Sequence, residues 1–445
     1  MDVAPWAGRM LHFVGIGGAG MSGLALVASR LGAAVSGSDR AATAYSARLR
    51  ERGIEPVLGH AAANVPEGAE VVISTAIPDS NAELERARAR GARILHRGDL
   101  LAELSRLKRC IAVSGTHGKT TTSAMAAHAL IASGHDPAYL VGGELRSTGV
   151  NAAWGGGEWI VVEADESDRS FLKLAPELAV ITNIELDHHA TYRSTLELER
   201  AFACFAEGAG RTSVWERVEL AFEGERETFG IGAGDLAARD VSLVPLGSRF
   251  AVEGTAVELR VPGRHNVLNA LAALSACRVA GLEPADAAAA LRDFSGAARR
   301  FEPRGTTRAG AHVYDDYAHH PTEVRATLEA ARTLGARRVV ACFQPHLYSR
   351  TALLAREFGS ALTLADLVAV LDVYPARERQ EDHPGVSGWL VAAATADAAG
   401  GRPVFWTPDF ADAQRLLEQQ LGAGDMLLTM GAGDIDTLAE RLVAS

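Results

Sequence analysis

Short apolar runs, each closed by glycine or small polar residues and followed by a helical pattern, recur along this chain. Leu11 to Val14 runs into Gly15-Ile16-Gly17-Gly18-Ala19-Gly20 and then a helix to Leu31. Ala34 to Gly37 begins a second run, with Ser38 and Asp39 at its carboxyl end. Val71 to Ile73 leads into Ser74-Thr75-Ala76, and Ile94 to Arg97 is another short run. Cys110 to Val113, Trp159 to Val162 and Ala179 to Ile181 follow, then Val339 to Phe343, Leu367 to Leu371 and Met426 to Met430. Continuous apolar runs of this length predict strands buried on both faces, and their alternation with helices predicts parallel α/β sheets. Breaks near Leu107 and across Phe294 to Phe301 divide the chain into segments 1–107, 108–297 and 298–445, each expected to be an α/β domain. Tyr139 to Val141 reads as a strand turning at Gly142-Gly143. Residues 205–260 are the least legible: short alternations broken by glycines, without a strand-rich pattern.

Open parallel sheets bind ligands at the carboxyl ends of their strands, so the polar clusters there are the candidate chemistry. The Gly-x-Gly-x-x-Gly turn at Gly15 to Gly20 allows close backbone approach to a pyrophosphate, and Asp39 at the next strand end can reach a ribose hydroxyl. Gly115-Thr116-His117-Gly118-Lys119-Thr120-Thr121-Thr122 sits where a strand becomes a helix. Backbone N–H groups of such a turn point at an anion, the lysine adds a charge, and the hydroxyl after it can sit on Mg²⁺. Only two residues separate its glycines, so it is a shortened phosphate loop. Glu163-Ala164-Asp165-Glu166-Ser167-Asp168 closes a neighbouring strand. An acid there completes a Mg²⁺ site, with Glu163 the first choice and Asp165 the reserve. His188 beside Asp187 is a candidate second metal ligand oriented by a carboxylate. Asn266 and Asn269 open a long alanine-rich helix and suit either a cap or a ligand. The last segment ends its strands in Asp315 to His320, Gln344 to Arg350, Asp372 to Pro375 and Gly431 to Asp434, a second binding edge.

Composition narrows the classes. The 445 residues carry a net charge of −11, which argues against a nucleic-acid binder without a local basic patch. Cys110, Cys204, Cys277 and Cys342 are scattered, as in a reduced cytoplasmic protein. No apolar run is long enough for a membrane span and the N-terminus lacks a signal-peptide core, so no membrane insertion is expected. Lys108, Lys119 and Lys173 are the only lysines, which makes the placing of Lys119 more telling.

FVGIGGAGMSG, GTHGKTTT, EADESD, TNIELDH, PGRHNVLNA, RRF, DDYAHHPTE and FQPHLYSRT occur in this order from about residue 10 to 437. Together they closely resemble the Mur ligase family of cytoplasmic peptidoglycan synthesis, and within it the alanine-adding branch. The resemblance implies three domains: an N-terminal Rossmann-like sheet, a central phosphate-loop ATPase-like α/β domain and a C-terminal Rossmann-like α/β domain. It implies ATP-dependent joining of L-alanine to the lactyl carboxylate of UDP-N-acetylmuramate through an acyl phosphate, with Mg²⁺ or Mn²⁺ as cofactor. Small molecules are then the expected partners, as a monomer or homodimer.

By that resemblance Thr120 and Glu163 hold Mg²⁺, and His188 serves a second metal. Gly115, Thr116, His117, Gly118, Lys119 and Thr121 cradle phosphates, and Asn266, Arg299 and His320 serve the nucleotide. Gly15, Gly17, Gly18, Ala19 and Gly20 take the sugar nucleotide, with Ser38, Asp39, Ser74, Thr75 and Ala76 near ribose and uracil. Tyr317, His319, His346 and Arg350 frame alanine and the acyl phosphate, an arginine suiting a carboxylate. Lys119, Glu163, His188, His319 and Arg350 are the expected catalytic set. Domain closure onto ATP is also expected, to exclude water. Sibling ligases carry a lysine about 16 residues beyond the Asp-His pair; Thr191 to Glu207 contains none, as in the alanine-adding branch. A recycling ligase that adds a preformed tripeptide is the close rival. A nicotinamide-dependent oxidoreductase would leave Gly-Lys-Thr and the EADESD acids unexplained, and a non-catalytic ATP-gated binding protein is a third reading.

Overall fold

The computed structural model describes residues 4–189 and 191–444. It divides into two compact units. One holds the chain through Ala238 with residues 252–255 and 268–291, and the other holds 239–251, 256–267 and the chain from Arg292 onward.

The first unit contains two sheets. The N-terminal one comprises β1 (Met10–Val14), β2 (Ala34–Asp39), β3 (Val57–Leu58), β4 (Glu70–Ile73) and β5 (Ile94–His96), in order β3-β2-β1-β4-β5, all parallel. Helices α1 (Ala19–Arg30), α2 (Ala44–Glu51), α3 (Ala82–Ala89) and α4 (Arg97–Ser105) connect them. The helix starts are set locally. Thr43 caps α2, Asn81 caps α3, and His96 with Asp99 forms a reciprocal box on α4.

The second sheet is built on β6 (Arg109–Ser114), whose carboxyl end feeds the phosphate loop and α5 (Lys119–Ala132). Its other strands are β7 (Ala138–Leu145), β8 (Val150–Ala153), β9 (Trp159–Glu163), β10 (Leu178–Ile181), β11 (Arg211–Trp215), β12 (Arg226–Ile231) and β13 (Leu236–Val244), with α6 (Thr195–Glu207) before β11. The order is β13-β12-β11-β10-β6-β9-β7-β8, parallel except at β7 and β8. The loop strand β6 thus lies between β9 and β10, the strands that deliver Glu163 and the residues before His188. One buried apolar cluster joins Met21 and Leu24 of α1 to Leu140, Ala152 and Ile160, so the two sheets of this unit share a core.

Two expectations needed correction here. The glycines after Val141 do not turn: β7 continues through Gly142 and Gly143, because the Gly142 N–H donates to Glu163 at 2.7 Å and its missing side chain leaves room for that carboxylate. Residues 205–260 are strand-rich after all. Beyond Glu207 they form β11, β12, β13, β14 (Gly247–Val252) and β15 (Thr255–Leu259). Much of β13 is exposed, so no apolar alternation marks it.

In the second unit β13 pairs antiparallel with β14, and β15 follows beside β14. Helices α7 (Arg264–Val279) and α8 (Pro284–Arg292) belong mostly to the first unit, which holds residues 268–291. The main sheet has β16 (Glu302–Thr306), β17 (His312–Asp316), β18 (Arg338–Phe343), β19 (Leu367–Val370), β20 (Val404–Trp406) and β21 (Asp425–Met430), in order β16-β17-β21-β18-β19-β20. Only β16 is antiparallel to its neighbour. Helices α9 (Pro321–Arg332), α10 (Tyr348–Leu362), α11 (Gly388–Ala398), α12 (Phe410–Gln420) and α13 (Asp436–Ala444) cover it. Val339, Ala341 and Phe343 pack into one cluster while Val340 and Cys342 pack into another, on the opposite face. That two-sided burial is why these strands read as unbroken apolar runs.

Candidate active site at the phosphate loop

The loop is locked by backbone geometry that only glycine tolerates. Gly115 has φ +135°, and a Cβ there would lie 2.1 Å from the Thr182 Oγ1. Gly118, at φ +82°, would meet the Asn269 Oδ1 at 2.4 Å. Polar groups of the β10 end hold the loop from the side. The His117 N–H donates to the Asn183 Oδ1 (2.9 Å), and the carbonyl of His117 accepts from the Thr182 hydroxyl (2.6 Å) and the Asn183 amide (2.9 Å). The Thr116 hydroxyl donates to the Glu185 carbonyl, and the His117 Nε2 lies 2.9 Å from the Glu185 Oε2.

Lys119, at the start of α5, folds back over its own loop. Its Nζ donates to the carbonyls of Gly115 (2.6 Å) and Thr116 (3.2 Å) and to Glu166 (2.9 Å). Burial alone would lower the ammonium pKa, but the nearby carboxylates of Glu166, Asp165 and Glu163 outweigh it and raise it. Lys119 therefore stays charged at neutral pH. The Thr120 hydroxyl donates to the Glu163 Oε1 at 3.2 Å, which puts two hard oxygen donors side by side at the start of α5. His188, held at φ +54°, places its Nε2 3.5 Å from Glu166 and 3.7 Å from Asp187. Lys119, Thr120, Glu163 and His188 thus converge around one strand end, together with a residue given no role on sequence grounds, Glu166. That carboxylate is 1% exposed and touches both Lys119 and His188. The hydroxyl of fully buried Tyr192 donates to the Glu166 carbonyl at 2.7 Å and fixes the turn beneath it.

The first glycine turn is organised by acids too. Asp39 accepts from the Gly17 N–H at 2.8 Å, so in this structure its carboxylate serves the turn itself. A Cβ on Gly17 would crowd Ser46, Asp39 and Thr43, all within 2.9 Å. Ser38 differs from the sequence reading. It is fully buried, and its hydroxyl donates to Glu83 at 2.6 Å, while its carbonyl accepts from the Gly15 and Ile16 N–H groups. Its side chain supports the turn from below. Ser74 is half-buried and Thr75 and Ala76 are exposed beyond β4. Asn151 donates to the Ala19 carbonyl (2.8 Å) and ties the turn's helix to β8. Arg97 of α4 reaches Asp165 (2.6 Å) and Asp168 (2.8 Å) at the acid cluster. Nothing local in the sequence signals that pairing across 68 residues.

In the second unit Tyr317, His319, His346 and Arg350 do come together. The ring centroids of Tyr317 and His319 are 5.4 Å apart and those of His319 and His346 6.0 Å, and His346 stacks on Tyr374. Arg350 is nearly buried, with its Nη1 3.2 Å from the His346 Nδ1. Arg299 is spent on the fold: it donates to Asp315 and to the carbonyls of Gly431 and Gly433. His320 caps α9, and Asn266 donates to the Pro262 carbonyl at the start of α7. Asp316, buried and accepting from the Phe301 and Ala318 N–H groups, is pushed up to about 6 by its burial.

Fold and loop define a phosphate-loop α/β protein of sheet-bearing modules. Residues 10–109 match the family model described as Mur ligase family, catalytic domain, 113–277 the Mur ligase middle domain, and 299–433 the Mur ligase, glutamate ligase domain. UDP-N-acetylmuramate–L-alanine ligase of Acidithiobacillus ferrooxidans is 46% identical over 97% of each chain. Its namesake from Rubrobacter xylanophilus is 45% identical over 98% of this chain and 99% of its own. The crystal structure of a UDP-N-acetylmuramate-alanine ligase from Thermotoga maritima superposes with a TM-score of 0.86, at 31% identity and 98% coverage of both chains. The chain belongs to the Mur ligase family.

Proposed function

We propose that this chain uses ATP to join L-alanine to the lactyl carboxylate of UDP-N-acetylmuramate, giving UDP-N-acetylmuramoyl-L-alanine, ADP and phosphate. The observation that carries the reading is the convergence of Lys119, Thr120, Glu163 and His188 on the phosphate loop, in a chain that matches alanine-adding relatives end to end. A free carboxylate is a poor electrophile. Its oxygen attacks the γ-phosphorus, the bond to ADP breaks, and the acyl phosphate takes the amine of alanine with loss of phosphate. The first step brings two anions together, so positive charge at the phosphates is the main demand.

Lys119 supplies one charge, its ammonium turning from Glu166 to phosphate oxygen. The hydroxyl of Thr120 and the carboxylate of Glu163 are a hard-oxygen pair of the type Mg²⁺ prefers, and these residues would hold it. The ion would neutralise phosphate charge. His188, beside Glu166, is the proposed nitrogen ligand of a second ion, Mg²⁺ or Mn²⁺. Glycines 15, 17, 18 and 20 receive the sugar nucleotide, with Asp39, Ser74, Thr75 and Ala76 around them. Tyr317, His319, His346 and Arg350 receive alanine, Arg350 pairing with its carboxylate. No helix among the described residues is long and apolar enough to cross a membrane. With nucleotide substrates, the reading places the enzyme in the cytoplasm.

The test is phosphate release measured with each substrate alone and with both. Release should require UDP-N-acetylmuramate and L-alanine together. No stimulation by the pair refutes the reading, and preference for a tripeptide acceptor over alanine would transfer it to the recycling ligase.

A further inference from the structure

Arg97 is an arginine where local chemistry disfavours one. It is the first residue of α4, at the positive end of the helix dipole, where carboxylates are the favoured side chains. It is also drawn away from water. A local rule broken without local benefit points to a role elsewhere.

Its geometry shows where. One terminal nitrogen, Nη2, makes both of its ion pairs, to Asp165 and Asp168. Among the described residues neither Nε nor Nη1 makes a hydrogen bond. Nη1 lies 3.5 Å from where a side chain on Gly20 would begin, and so stands over the last glycine of the first turn. Both groups border a cavity of about 150 Å³ that runs from Ala19 and Gly20 at the start of α1 to Gly142, Glu163 and Asp165 beside the phosphate loop. The guanidinium is thus held through Nη2 by two acids and presents Nη1 to the last glycine of the turn. A planar fork with spare donors suits a phosphate oxygen, and the two acids fix its orientation before a ligand arrives.

We propose that Arg97 binds the pyrophosphate of the sugar nucleotide seated on Gly15 to Gly20, as a substrate-binding residue contributed by α4. This rests on the function proposed above, which supplies the nucleotide. The arginine stands beside Gly20 and lines the cavity that leads from that turn to Glu163.

Calorimetric binding of UDP, UMP and UDP-N-acetylmuramate to the intact protein tests this, with Arg97→Gln and Arg97→Lys beside the parent. Loss of a charge-assisted hydrogen bond should weaken UDP binding about 10- to 100-fold in Arg97→Gln. UMP, which lacks the second phosphate, should change less than about threefold on the same scale. Arg97→Lys should recover part of the UDP affinity through its point charge. Equal UDP affinity in Arg97→Gln and parent overturns the proposal, as does an equal loss for UDP and UMP, which marks a structural role. A loss confined to UDP-N-acetylmuramate overturns it too, since the contact would then be to the lactyl carboxylate. If the parent binds none of the three, the proposed function itself fails first.

Discussion

The ion pair of Lys119 and Glu166 predicts that catalysis and stability can be separated at one site. In Lys119→Met, Glu166 keeps its burial but loses its closest cation. Stranding a buried charge by removing its partner costs about 3–5 kcal/mol. One feature reduces that here: the Lys119 side chain is 14% exposed, so water can reach part of the space it vacates. The expected loss is about 2–4 kcal/mol, on the order of 5–10 °C for a unit of this size. Adding Glu166→Gln removes the stranded charge while leaving the backbone carbonyl that Tyr192 binds. The double variant should therefore regain most of the stability. It should not regain activity, because the cation proposed for the transferred phosphate is gone, a loss of about 10²–10³-fold or more. Urea midpoints and coupled phosphate release, measured on the parent, both single variants and the double, form the assay. A double variant no more stable than Lys119→Met would refute the assignment of Glu166 as the lysine's counter-charge.

Three further outcomes follow from the same geometry. Gly118→Ala forces a left-handed residue against the Asn269 Oδ1, and should cost about 1–2 kcal/mol from the backbone alone and abolish the melting shift given by ATP. Glu163→Gln weakens the oxygen pair with Thr120, so half-maximal activity should need at least about tenfold more Mg²⁺ in a titration. Asp316 has its pKa raised from 3.8 to about 6, so the native state holds this proton more tightly than the unfolded chain does. Stability from this group accordingly falls as pH rises from about 4 to 6, and Asp316→Asn should flatten that slope in denaturation curves taken across the window.

Much of this site could be read from sequence because its parts are local. Gly118, Lys119 and Thr120 sit in one turn between an apolar strand and a helix, and Glu163 ends a run whose burial on both faces is unmistakable. Glu166 was visible as a residue but not as a partner. Four acids fall within six positions there, and which of them faces Lys119 depends on how the chain turns after β9, a turn fixed by Tyr192 from a later loop. Arg97 was silent because its meaning lies in contacts 68 and 71 residues away. Ser38 misled for the converse reason. A hydroxyl at a strand end looks like a ligand group, but Glu83 from α3 claims it below the sheet edge. The strands between 211 and 259 escaped because exposed, glycine-broken strands carry little period-two signal.

The acids that obscured the reading also explain how the site works before substrate arrives. Two of the proposed anion-binding groups are already satisfied by a carboxylate of the chain itself, the Gly17 N–H by Asp39 and Lys119 by Glu166, while Arg97 keeps Asp165 and Asp168 on one terminal nitrogen. Arg97 and Lys119 hold Asp165 well below the usual carboxylate range against the opposing effect of burial, so this acid keeps its charge at neutral pH. At the Gly17 N–H and at Lys119, phosphates bound as proposed would enter by exchange and leave the displaced carboxylates beside them. Such an exchange gains little from charge alone, since one anion replaces another at each cation. The net gain must come from geometry and from additional positive charge. Geometry is provided by glycines that bring backbone N–H groups close. Additional charge is what a divalent ion held, as proposed, by the Thr120 and Glu163 oxygens would bring in. The acid-rich loop would thus be a reason for that ion as well as a place for it. ATP affinity should accordingly depend far more steeply on Mg²⁺ than on monovalent salt at equal ionic strength. Equal sensitivity to both would show that the carboxylates are bystanders.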